Sequence, residues 1–186
     1  MPRPTDLTDA TFPPEASPTG WGWKAAWGAV VLALLAPLVA MQVTDEVAWT
    51  LSDFVIAGVL LAGSLGVLQL ASRTTSSVAY RVGVGLALLA AVLLGWINGA
   101  VGILGDEGNP ANWMYAGVVA VAAVGAFAAR FRPRGMALAM VAAGAAQGLV
   151  FAIAWGVGWG FTGPITLVFL ALWLGAARLF HIAAAG

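Results

Sequence analysis

The sequence predicts an all-α fold: a six-span transmembrane helical bundle with both termini in the cytoplasm. Three observations predict it. Hydrophobic residues make up 61% of the chain and charged residues 9%, whereas a water-soluble domain carries about 25% charged residues. The apolar residues form continuous runs of membrane-spanning length. When six such runs are threaded through a bilayer, all 8 Lys and Arg residues fall on one side. A chain of this composition could not cover a soluble surface, so the bilayer must be its solvent.

Residues 1–22 hold five of the 9 prolines together with Ser, Thr, Asp and Glu. That composition favours a disordered or extended cytoplasmic tail, and it is too long and too acidic for the start of a signal peptide. The transmembrane domain is expected over residues 23–182. Its runs are Ala25–Val43 (containing Pro37), Phe54–Ala71, Val82–Val101, Trp113–Ala129, Met136–Gly156 and Pro164–Phe180, the last sharing the shortest length with the fourth. A helix rises 1.5 Å per residue, so each run spans about 25–32 Å, the thickness of the hydrocarbon. A β-barrel would instead show alternating ten-residue segments.

The charges orient these spans. Arg3 and Lys24 precede the first, Arg73 and Arg81 separate the second from the third, Arg130, Arg132 and Arg134 separate the fourth from the fifth, and Arg178 ends the sixth. The positive-inside rule makes that side cytoplasmic. A count of five or seven spans would break the separation. The opposite loops carry Asp45, Glu46, Asp106 and Glu107. Trp49, Trp96, Trp113, Trp155 and Trp159 lie near the outer boundary, and Trp21, Trp23 and Trp27 near the inner one, as an aromatic belt requires. Trp173 falls in mid-span and reads as a packing or lipid-facing residue.

Lipid tails are as apolar as leucine, so close packing must hold the spans together. Small residues recur at four-residue spacing: Gly83, Ala87, Ala91, Gly95 and Gly99 in span three, Gly117 and Gly125 in span four, and Gly144, Gly148, Ala152 and Gly156 in span five. Spans three to five are therefore expected to pack tightly. Packing within one chain is preferred, with homo-oligomerisation or a membrane-protein partner left open.

The stretch WINGAVGILGDEGNPANW, residues 96–113, contains an Asn-Pro-Ala triplet. Water channels carry two such triplets on half-helices that dip into the membrane. Here there is one, in a loop too short for a re-entrant half-helix. Turn chemistry explains it instead: glycines suit the turn, Asn109 is a good N-cap, and Pro110 is favoured at the first helical position.

The candidate polar or cation site comprises Asp45, Glu46, Asp53, Asn98, Asp106, Glu107 and Gln147. If helix two began near Thr44, then Glu46, Trp49, Thr50 and Asp53 would share a face. An acidic group just inside the hydrocarbon marks function by default. The competing reading, which is preferred, is that Thr50-Leu-Ser-Asp53 forms a capping box. Asn98, Gln147 and Gln69 read first as interhelical hydrogen-bonding residues. Convergence of Asp53, Asn98 and Gln147 would instead line an outward-facing pocket. The Arg130–Arg134 turn is expected to set topology and touch anionic headgroups. His181 reads as a surface residue.

No catalytic residue, cofactor or metal site is assigned. The chain has no cysteine and one histidine, so thiolate or His-rich metal sites are excluded. There is neither a nucleophile–base arrangement nor a phosphate loop. Net charge is zero, which implies no nucleic-acid partner; the bilayer is the expected partner. Arginine preferred over lysine in an Ala/Gly/Val/Leu background reads as a bacterial coding bias.

The segments DEVAW…SDF (Asp45 to Phe54) and WINGAVGILGDEGNPANWMY (Trp96 to Tyr115) resemble a family of small bacterial multi-spanning inner-membrane proteins to which no activity is assigned. The resemblance covers residues 44 to 180 and implies a multi-pass inner-membrane location. Three functions are held in order: a non-enzymatic structural or accessory membrane protein, a small cation- or proton-coupled transporter or channel with an acidic outer vestibule, and a membrane enzyme.

Overall fold

The computed structural model describes residues 20–105 and 108–186. Among these residues there are helices and no strands, and six helices are long and apolar enough to cross a membrane. The bilayer dictates this outcome, because a helix satisfies its own backbone hydrogen bonds where no water is present to do so. The chain is thus an integral multi-pass membrane protein. It divides into two compact units, Met1–Trp49 and Thr50–Gly186.

In the first unit, α1 runs Gly20–Val43 and continues through Pro37, which removes one backbone donor from the helix interior. The Thr44 amide closes the last turn on Ala40 O at 3.0 Å. The Glu46 amide then donates to Thr44 Oγ1 at 3.1 Å.

The second unit holds α2 (Leu51–Thr74), α3 (Val78–Val101), a 3-10 turn (Pro110–Asn112), α4 (Trp113–Ala128), α5 (Pro133–Val157) and α6 (Gly163–Ala185). Helix α2 begins at Leu51, not near Thr44. Residues 44–50 are non-helical, and Thr50 is extended at φ −87°, ψ 168°. Glu46, Trp49 and Thr50 therefore share no helical face with Asp53. The physical reason is that the cap sits at Thr50, and a residue in extended backbone ends the helix there.

The most extensive packing is between α5 and α6, followed by α3 with α6 and α4 with α5. Helix α3 touches α4 more lightly, and α2 packs on α3. The core is thus the four helices α3–α6, with α2 flanking α3. Its largest fully buried side chains include Trp173, Phe169 and Phe180 of α6, Tyr115 of α4, Leu94 of α3 and Met140 of α5. Trp173 is a core residue and not a lipid-facing one. The last apolar run of the sequence thus supplies much of the core, and the helix it forms is longer than that run, ending at Ala185.

The small-residue ridges are used selectively. A Cβ on Gly125 would meet Ala139 Cβ at 2.7 Å, and one on Gly83 would meet Leu179 and Phe180 at 3.3 Å. By contrast, Gly99, Gly117, Gly148 and Gly156 have no other group within 4 Å of that position. Helix α4 therefore approaches α5 closely at Gly125. The turn joining them is tight: Arg130 and Phe131 both take positive φ, 50° and 56°, in the sterically costly left-handed region. The Tyr80 hydroxyl of α3 donates to Phe131 O at 2.7 Å, and Pro133 starts α5, its fixed φ suited to a first helical turn.

Candidate functional site

Polar side chains gather at the end of the second unit where α3 ends and α4 begins. Asn112, the last residue of the 3-10 turn, is the centre of this cluster and is 5% exposed. Its Oδ1 accepts from the amides of Ile103 at 3.0 Å and Leu104 at 2.9 Å. Its own carbonyl accepts from Asn98 Nδ2 at 3.2 Å. One side chain thus satisfies two amides that the chain frees when α3 ends at Val101. Buried amides left unsatisfied are costly, so the Asn98–Asn112 pair staples the loop to both helices. Asn109 accepts from the Ala111 amide at 3.0 Å, and Pro110 occupies the first turn. The Asn-Pro-Ala triplet therefore caps the 3-10 turn that leads into α4.

Asp53 is exposed and turned back on its own helix start. Its Oδ2 accepts from the Thr50 amide at 2.7 Å and from Thr50 Oγ1 at 2.7 Å. That is the reciprocal geometry of a capping box. Asp45 and Glu46 are exposed in the first unit. Asp106 and Glu107 lie outside the described residues. Asp53, Asn98 and Gln147 have different settings: an exposed helix cap, a loop staple and an enclosed core position. Among the described residues no cluster of three or more His, Asp or Glu side chains could hold a metal ion.

Gln147 of α5 is 0% exposed, and neither atom of its amide has a hydrogen-bond partner. The interhelical hydrogen bond expected of it is not formed. A Cβ on Gly144 would sit 3.6 Å from Trp173 Cβ, which sets the antiparallel register of α5 on α6. Gln147, one turn further along α5, is therefore level with the stretch between Trp173 and Thr166. Trp173 Nε1 and Thr166 Oγ1 are also buried without partners. Tyr115 of α4 lies beside Thr162, and the two hydroxyls face each other in the core. Thr162, Thr166 and Trp173 follow at helical spacing on one stripe of α6 and its approach. Among the described residues the core thus holds neutral donors and acceptors, Asn112, Gln147, Thr162 and Thr166, and no charged side chain.

Sequence reasoning identified Gln147 and Asn98 but not Asn112, Tyr115, Thr162 or Thr166. Asn112 carried a weak signal, since a second Asn three residues after a cap is well placed for turn bonding. The threonines carried none, because Thr is common in apolar spans and its facing depends on how the helices cross. Comparison of the chain with known family models, curated proteins and solved structures finds no match to any of them.

Proposed function

We propose that this chain is a non-enzymatic integral membrane protein with a structural or accessory role in a bacterial inner membrane, both termini cytoplasmic. The observation that carries the reading is the use made of Asp53, the acidic side chain nearest the hydrocarbon. Its carboxylate is occupied by the Thr50 amide and hydroxyl, so it serves a helix end. Asn112 is likewise spent on the loop, and Asn98 donates its Nδ2 to the Asn112 carbonyl. The orientation rests on the one-sided placing of arginine and lysine.

Two measurements test this. Proteoliposomes carrying the protein should show no more cation or proton flux than empty ones, and Asp53→Asn should change nothing. A flux abolished by Asp53→Asn would overturn the reading. Reporter fusions after Thr75 and Arg132 should report the cytoplasm, and one after Gly158 the periplasm; the reverse pattern would overturn the orientation.

A second reading, transport, is favoured by the buried, unpartnered amide of Gln147. Polar groups at membrane depth are expensive, and one without a protein partner is suited to a solute's hydrogen bond once α5 and α6 part, since Gln147 is 0% exposed in the closed core. On this reading Gln147→Leu abolishes flux and Asp53→Asn does not.

A further inference from the structure

A groove of about 570 Å³ runs between the start of α5 and the end of α6. That volume lies within the range of small-ligand sites, roughly 300–1,000 Å³. Its walls are apolar, formed by Leu138 and Val141 of α5 and Leu174 of α6, and its open end carries Arg134, Arg178 and His181. Helical spacing explains the arrangement. Positions 134, 138 and 141 make one stripe of α5, and positions 174, 178 and 181 one stripe of α6. Arg134 and His181 lie toward the helix ends, Arg178 is about level with Leu138, and Val141 and Leu174 run deeper. Arg134, Arg178 and His181 are all exposed, and no acidic residue occurs between Arg130 and the C-terminus.

We infer that this groove binds one anionic phospholipid, with its phosphate between Arg134 and Arg178 and an acyl chain along Leu138, Val141 and Leu174. Charge complementarity selects the occupant. Two guanidiniums on a stretch, residues 130–186, that has no Asp or Glu side chain favour a phosphate, which arginine recognises in a fork geometry. The apolar walls directly below suit a ligand with an acyl chain joined to that phosphate, and basic pockets between spans are known to hold acidic headgroups. The inference rests on membrane insertion alone. It holds whether the role is accessory or transport and whichever face is cytoplasmic.

The test is native mass spectrometry of the detergent-purified full chain mixed with phosphatidylglycerol or phosphatidylcholine. The wild type should retain one phosphatidylglycerol in preference to phosphatidylcholine. Arg134→Gln with Arg178→Gln should weaken that retention on the order of ten- to thirty-fold, from two lost headgroup contacts. Arg73→Gln with Arg130→Gln, which removes equal charge away from the groove, should leave retention unchanged. Leu138→Trp keeps the arginines but fills the groove at a position 71% exposed, and it should also lose the lipid. Equal retention of the two lipids by wild type would overturn the inference, as would full retention by the Arg134/Arg178 pair or by folded Leu138→Trp. If the double variant does not fold, Leu138→Trp decides alone. Excess inorganic phosphate should not displace the lipid; displacement would mean the groove takes phosphate without the acyl chain.

Discussion

Replacing Asn112 by alanine should be among the most damaging single changes in the molecule, although Asn112 touches neither an ion nor a catalytic group. The substitution strips the acceptor from two backbone amides, at 3.0 Å from Ile103 and 2.9 Å from Leu104. Leu104 is 0% exposed, so its amide finds no substitute in solvent, while Ile103 is half-buried and recovers part of its loss. A buried donor left unpaired costs about 1–3 kcal/mol. Counting one such amide in full and the second in part, the loss is about 2–4 kcal/mol. For a chain of this size that corresponds to a fall in midpoint of about 4–16 °C. The assay is thermal loss of monodispersity in a mild detergent, read against wild type. Two variants calibrate it. Asn109→Ala removes one acceptor from the Ala111 amide and should cost about 1 kcal/mol. Asn112→Asp keeps the accepting oxygen and should lie between wild type and Asn112→Ala. If Asn112→Ala melts within about 2 °C of wild type, or no lower than Asn109→Ala, the staple argument fails.

Other expectations follow from the same structure. Gly125→Val should push α4 from α5, because even a Cβ there would lie 2.7 Å from Ala139 Cβ; overpacking of this kind costs about 1–3 kcal/mol, and a midpoint unchanged from wild type would reject the close approach. Gly148→Ala, with nothing within 4 Å, should be neutral or stabilising by about 0.5–1 kcal/mol, and a marked loss of stability would show that a partner covers that face. Gln147→Leu replaces a buried amide that lacks a partner and should leave the midpoint equal or higher; a loss above about 1 kcal/mol would show that the amide is paired. Arg130→Gly relieves a residue held at φ 50° and should gain about 1 kcal/mol, an expectation that fails if the variant melts lower.

The sequence by itself determined the number of spans, their helical nature and the polar ends between them. Each of these depends on local chemistry. An apolar run of bilayer length must become a helix, because its backbone has no other partner at depth. The capping of α2 by Asp53 and of the turn before α4 by Asn109 was legible for the same reason, since a cap acts within three residues of its own helix start. Even so, the start of α2 at Leu51 was settled only by the extended backbone of Thr50. Tertiary structure alone decided which helices meet. The last run, among the shortest in the sequence, became the helix on which both α3 and α5 pack. Of the small-residue ridges, Gly125 lies at a close helix approach and Gly148 does not. Arg134 and His181, 47 residues apart in the chain, came to line one groove. Between spans in lipid no hydrophobic gradient marks the contacting face. Composition therefore records that a helix is in the membrane, while crossing angle and register, which no single segment encodes, choose the side of it that is buried.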